Sequence, residues 1–314
     1  MSNRNLIFVL FLIIVGCGLG ESETDAVLQV GTNQWPGYEP LYLADSKGFY
    51  GEQSVRVVLL PSASEVMRAL RNEVIDVAGL TLDEALQLAS SGVALKLFMV
   101  TDISAGADVI LAHPEIENIQ SLAGKRVGVE TTALGAYVLS RALQLAGVDS
   151  DKVHLVDLQV DQHEEAFTAG RVDAVVTFEP VRTKLLTHGA QILFDSRQIP
   201  EEVVDVLVVR ESAIEQHEAS LKLLVDGWFK ARSLLEEQNA NAMLLAAKHQ
   251  GLTVYELRGA MAGLELPNRS RVRYLLAEKA LVDKAAPVQH WMRQQGLLRG
   301  EAVDLESLLL PGYL

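Results

Sequence analysis

From Val27 onward, short runs of β-branched and aliphatic residues alternate with longer stretches in which apolar residues recur every three or four positions. The first pattern suits buried strands and the second suits amphipathic helices, and their alternation marks parallel sheets flanked by helices. It predicts strands at Leu28–Gly31, Val55–Leu60, Ile75–Ala78, Leu95–Val100, Val109–Ala112, Arg126–Val129, His154–Leu158, Ala174–Thr177, Gln191–Phe194 and Val204–Val209. After Arg210 the strands stop. Ser212–Gln295 reads as successive helices, with Leu221, Leu224, Val225, Trp228, Ala231 and Leu235 at helical spacing, and Leu275, Leu276, Leu281, Val282 and Trp291 after them.

Two halves can be discerned. The second opens at Ser121-Leu122-Ala123-Gly124-Lys125-Arg126-Val127-Gly128-Val129, a capped turn feeding a new buried strand, and no Pro/Gly/Ser-rich linker precedes it. The chain begins differently. Arg4 is followed by ten apolar residues, Leu6–Val15, a signal-peptide core too short to span a membrane. Ile14-Val15-Gly16-Cys17 then resembles a bacterial lipobox, whose cysteine is lipidated and becomes the mature N-terminus; a plain signal peptide with an incidental cysteine is the other reading. Either way the mature protein is expected to work outside the cytoplasmic membrane. Gly18–Asp25 is small, polar and acidic, as a tether would be. Cys17 is the only cysteine, so once it carries lipid no thiol remains for disulfides.

About 290 residues follow the tether, enough for one large or two medium domains. The net charge is -14, and removing the signal takes away Arg4 and no acid, leaving -15. Such a surface repels nucleic acid and anionic lipid, so no nucleic-acid partner is expected and the lipid anchor is the one membrane contact.

Ligands of open α/β sheets lie at the carboxyl ends of strands, where helix N-termini present free N–H groups. The strand-to-helix junctions therefore hold the candidate site. In Thr32-Asn33-Gln34-Trp35-Pro36-Gly37-Tyr38-Glu39-Pro40, Trp35 and Tyr38 flank a Pro-Gly turn and either face a ligand or cover the sheet edge. Ser62–Glu65 and Thr81–Glu84 are capping boxes, and Gly79 allows the backbone near Thr81 a close approach. Glu130, Thr131 and Thr132 open the next helix, with hydroxyls beyond what capping needs. Phe178 and Glu179 precede Pro180, where Glu179 is either a ligand group or only a helix cap.

No G-x-S-x-G, H-E-x-x-H, phosphate loop or dinucleotide fingerprint occurs, and the seven histidines lack metal-ligand spacing. We therefore expect no catalytic residues, metal or cofactor.

Three co-linear motifs carry a family resemblance. Trp35-Pro36-Gly37-Tyr38-Glu39-Pro40-Leu41-Tyr42-Leu43-Ala44 with Lys47-Gly48-Phe49-Tyr50, Leu122–Val129, and Asp173-Ala174-Val175-Val176-Thr177-Phe178-Glu179-Pro180 resemble substrate-binding proteins of ABC importers in the nitrate/sulfonate/taurine group, which also includes binders of thiamine pyrimidine precursors. The resemblance implies an α/β fold of the type 2 periplasmic-binding-protein kind: two lobes, 27–110 with 206–314 and 111–205, joined by crossovers at Ala107–His113 and Asp205–Arg210. It also implies a small-molecule ligand, an ABC permease as partner, and a cleft lined by Trp35, Tyr38, Thr81, Glu130, Thr131, Thr132, Phe178 and Glu179. A monomer is expected. No Arg or Lys lies in these loops, whereas Glu130, Glu179, Asp83 and Asp108 lie close by. A bare anion is thus disfavoured, and an amine, amidine or neutral heterocycle fits better. A ligand-sensing partner of a membrane signalling protein, a sulfonate or nitrate binder, and an enzyme on the same fold are the alternatives.

Overall fold

In the computed structural model, residues 27–51, 54–298 and 300–314 are described. The signal, Cys17 and the tether lie outside the described residues.

The strands are β1 (Leu28–Thr32), β2 (Val55–Leu59), β3 (Val77–Thr81), β4 (Leu95–Ser104), β5 (Val109–Ala112), β6 (Arg126–Val129), β7 (His154–Asp157), β8 (Ala174–Thr177), β9 (Gln191–Asp195), β10 (Val204–Arg210) and β11 (Leu264–Glu265). They form two sheets, of order β11-β4-β10-β3-β1-β2 and β7-β6-β8-β5-β9. In the first, β1 runs parallel to β2 and β3, as the alternating pattern predicts. Both sheets nonetheless contain antiparallel pairs. β10 runs against β3 and β4, and β5 against β8 and β9. The reason is topological: each of the two passages between the sheets delivers a strand from the far side, so it enters its new sheet reversed.

Those passages are 105–108, from β4 to β5, and 196–203, from β9 to β10. Of the expected crossovers, Ala107–His113 is mostly β5 itself and Asp205–Arg210 is within β10. β4 also runs four residues further than its apolar pattern, through Thr101, Asp102, Ile103 and Ser104, all buried. Pairing with β10 continues through those polar positions, with Asp205 opposite Asp102 and Val204 opposite Ile103. The two-residue β11, opposite Ser104 and Ile103, is too short to leave a periodic signal.

The helices after β10 return to the first sheet. Glu218–Glu236 packs on the helix Glu39–Ser46, burying Leu221, Leu224, Val225 and Trp228. Ala280–Gln294 packs on Leu82–Ser90 and also reaches the second sheet's layer, where Trp291 Nε1 donates to Ser140 Oγ at 3.0 Å. Among the described residues no helix is long and apolar enough to cross a membrane.

Candidate functional site

The carboxyl ends of β1, β3, β6 and β8 converge on the space between the sheets. The Pro36–Tyr38 turn after β1 sets two aromatic rings there. Trp35 Nε1 lies 3.2 Å from both carboxylate oxygens of Asp102, and Tyr38 donates to Asp205 Oδ1 at 2.5 Å. Two glycines make this possible. A Cβ on Gly37 would sit 1.9 Å from Asp102 Oδ2, and one on Gly79 would sit 3.0 Å from the Tyr38 ring. Trp35 and Tyr38 are thus core residues and cavity walls at once. Across the gap, Phe178 meets Trp35 edge to face, with ring centroids 5.6 Å apart.

Two cavities of about 20 Å³ each remain between the sheets, little more than one water's room apiece. Ala63, Glu84, Asp108, Leu134 and Phe178 line both. Asn33, Trp35, Tyr38, Thr81 and Asp205 complete one; Glu130, His163 and Thr177 help to complete the other.

The lobes are held together at the cleft by reciprocal capping. Glu84 Oε2 accepts from the Thr81 N–H of its own helix at 2.9 Å, while Oε1 accepts from Leu134 N, at the start of the opposite helix Leu134–Ala146, at 3.1 Å. In return Glu130 Oε1 accepts from Ser64 N, in the first turn of Ala63–Arg71, at 2.9 Å. Two helix N-termini that could hold an anionic ligand group are therefore each filled by a carboxylate from the other side.

Of the eight residues expected to line the cleft, Trp35, Tyr38, Thr81, Phe178 and Glu130 do so. The structure places three elsewhere. Thr131 turns outward, its hydroxyl donating to Asp157 Oδ1 at 2.7 Å. Thr132 sits at the cleft mouth, hydroxyl to hydroxyl with Ser64 at 2.6 Å. Glu179 is fully buried but folded onto its own helix, accepting from Arg182 Nη1 at 2.8 Å and from Thr183 N and Oγ1 at 3.1 and 3.0 Å. Its capping role uses the carboxylate completely, and it does not face Glu130 across a shared donor.

What the sequence patterns missed are Asp102 and Asp205, facing each other across β4 and β10. Their signal was an aspartate inside an otherwise apolar strand, a costly position unless the group has work to do. With Asp83, Glu84 and Asp108 they form a set of buried acids, and among the described residues no lysine or arginine lines either cavity. Burial lifts Asp102 and Asp108 to about 7 each, Glu84 to about 8 and Asp83 to about 6. Burial, then the charge of Asp102, raises Asp205 well above the ordinary range. His163 supplies no counter-charge: burial lowers it to about 4, and Nε2 faces the Leu158 carbonyl at 3.2 Å. Among the described residues no group of His, Cys, Asp and Glu is arranged to hold a metal ion.

Comparison with known proteins fits this architecture. The chain is 25% identical over 225 residues to a putative aliphatic sulfonates-binding protein of Bacillus subtilis (strain 168), covering 68% of this chain and 67% of that one. Its fold matches the alkanesulfonate-binding protein SsuA from Xanthomonas axonopodis pv. citri bound to MOPS, with TM-score 0.77, 18% identity, and 91% and 99% of the two chains covered. It also matches the desulfurization enzyme DSZB, with TM-score 0.67, 17% identity, and 91% and 97% covered. The two-lobed type 2 periplasmic-binding-protein fold is thus the one observed, and since the model of the NMT1-like family matches residues 21–249, the chain belongs to the NMT1-like family.

Proposed function

We propose that this protein is a lipid-anchored, extracytoplasmic solute-binding protein that captures a small nitrogen-containing molecule and delivers it to an ABC importer. The family, the two-lobed fold and the binding role named for the Bacillus relative support the solute-binding part. One observation carries the ligand class: a chamber walled by Trp35, Tyr38 and Phe178 whose charged groups are acids, with no Arg or Lys lining it among the described residues. Aromatic faces cover a planar or alkyl cation and carboxylates accept its N–H groups. A ligand of this kind would enter when the lobes open and be enclosed when they close about 105–108 and 196–203.

The relatives' names favour a second reading, a sulfonate or nitrate binder, with the helix N-termini at Ser64 and Leu134 as its donors. Filling of both by Glu130 and Glu84 weighs against it. We read the protein as a binder rather than an enzyme: His163, the one imidazole lining the cavities among the described residues, has both ring nitrogens engaged, at Thr177 Oγ1 and the Leu158 carbonyl.

Thermal shift against taurine, nitrate, alkanesulfonates, amidines, polyamines and aminopyrimidines tests the reading, since stabilisation grows with ligand concentration over dissociation constant. Nitrogen bases should raise the midpoint. A shift from nitrate or an alkanesulfonate alone transfers the assignment to the anion class. The anchor rests on the Ile14–Cys17 lipobox; labelled palmitate should enter the wild-type protein and not Cys17→Ser.

A further inference from the structure

Asp108 is the residue whose position the fold does not explain. It lies on the passage between β4 and β5, lines both cavities, is 3% exposed, and leaves its Oδ2 without a hydrogen-bond partner. Asp83 Oδ2 and Thr81 Oγ1 are buried without partners in the same way. From every side Asp108 faces acids or neutral groups: Asp83 and Glu84 from Leu82–Ser90, Asp102 from β4, Asp205 from β10, Glu130 after β6, Glu179 after β8, and uncharged His163 from Val160–Thr168. Arg182 is held by Glu179, and Arg197, which packs beside Gly106 on the same passage, is exposed and held by Asp195. Trp35 and Tyr38 donate to Asp102 and Asp205 but bring no charge.

So many carboxylates cannot all be ionised in a closed, nearly waterless space without a counter-ion. Either protons or a cation must be there.

We propose that the chamber is a proton–cation exchange site, in which a small organic cation binds against Asp108 and drives out protons that the acids around it hold when the cleft is closed and empty. This rests on the reading of the cleft as a site for a nitrogen base and adds its linkage to pH. The balance is simple: the cationic ligand and the protonated chamber become the ligand paired with carboxylates, and the protons pass to the buffer. An organic cation is favoured over a metal ion by the aromatic walls and by the absence, among the described residues, of a metal-holding group. The elevated Asp102, Asp108 and Glu84, between about 7 and about 8, put the exchange in the neutral range. Below that range a ligand must expel protons to bind, so affinity should rise with pH and level off once the acids are ionised.

The test uses the intact protein with benzamidinium and putrescine as probes, by calorimetry at several pH values in phosphate and Tris, whose different ionisation enthalpies reveal protons released. About one proton or more per cation is expected near pH 6.5, falling toward none above pH 8.5, with affinity rising about tenfold per pH unit for each proton released and levelling off above. Asp108→Asn should abolish most of the release and weaken binding at least about tenfold, while Asp108→Glu restores release. Cation binding without proton release would overturn the exchange and leave the binding reading intact. Binding of taurine or nitrate in place of the cations would remove both. Independently of any ligand, carboxyl NMR of the empty protein, with the Asp108 signal assigned by its loss in Asp108→Asn, should show titration near neutrality; titration at the ordinary carboxylate value of about 4 overturns the proposal.

Discussion

Between the sheets lie a half-buried glutamate, Glu202, and a set of fully buried acids in the chamber, and the fold treats them oppositely. On the flank of the cleft, Glu202 in the 196–203 passage accepts from Arg141 Nε and Nη2 at 2.7 and 2.8 Å and from Tyr137 Oη at 2.6 Å, joining the passage to the helix Leu134–Ala146. Burial pushes the Glu202 carboxyl up, but the bonds from Arg141 and Tyr137 outweigh it and hold it below the usual value. The Arg141 guanidinium also lies 5.3 Å over the Trp291 ring, tying in the C-terminal helices. In the chamber, Asp102, Asp108 and Asp205 have no such cation. Arg141 compensates Glu202 and fastens it to the opposite helix, whereas Asp102, Asp108 and Asp205 are left with neutral donors or none.

The largest effect expected from a single substitution that breaks this contrast is on the flank. Arg141→Met leaves Glu202 half-buried with Tyr137 as its one remaining donor and removes the contact to Trp291, which should cost roughly 1–3 kcal/mol. Denaturant unfolding measures it. The double variant Arg141→Met with Glu202→Gln should recover part of the loss, since the orphaned charge is then gone. If Arg141→Met is neutral, the flank is not glued by this pair.

An effect of opposite sign, spread over several pH units, is expected in the chamber. The folded protein keeps protons on Asp83, Glu84, Asp102 and Asp108 that the unfolded chain gives up near pH 4. The folded state then binds more protons than the unfolded, so these groups' contribution is complete below about pH 4 and is lost as pH rises toward about 8, by up to about 1.4 kcal/mol per pH unit for each group in its window. Salt-bridged carboxyls behave the other way: Asp173, held down to about 2 by hydrogen bonds from Arg126, and Glu202 contribute stability that is lost in acid. Ligand-free protein should therefore melt highest near pH 5 and lose stability toward pH 8. Asp102→Asn should flatten that decline, being neutral near pH 5 and stabilising near pH 8. A midpoint that stays level from pH 5 to 8 would show the acids are ionised after all.

The same contrast explains what could be read from the chain in advance. The central strands stand out in the apolar pattern because burial on both faces demands unbroken Val, Ile, Leu and Ala, as in Val109–Ala112 and Ala174–Thr177, whose bounds the structure repeats. Trp35 and Tyr38 were legible because an aromatic pair around Pro-Gly at a strand's end has few places to go. Asp102 and Asp205 were not, since register alone brings them together and register is a property of pairing β4 with β10. Glu179 illustrates the opposite difficulty. A glutamate before Pro180 reads alike whether it serves a ligand or its own helix, and only Arg182 and Thr183, three and four residues on, decide it.

The smallest effect separates the cleft from its outer rim. Thr131 and Thr132 are adjacent at the mouth of the second lobe and were read alike from the sequence, yet their hydroxyls point to different neighbours: Asp157 on the outside and Ser64 across the cleft. Thr131→Val loses a bond to a solvent-exposed aspartate, so stability should change by about 0.5 kcal/mol or less and ligand affinity not at all. Thr132→Val removes one of the contacts that span the mouth. Its hydroxyl is exposed in that bond, so the fold should again be nearly unaffected, while closure loses a contact the open form does not have, weakening binding by about two- to fivefold. Titrating both variants with the ligand found by thermal shift checks this. Equal losses from the two would mean that the Thr131 loop turns inward when ligand binds, and the distinction between chamber and rim drawn from the empty cleft would have to be redrawn.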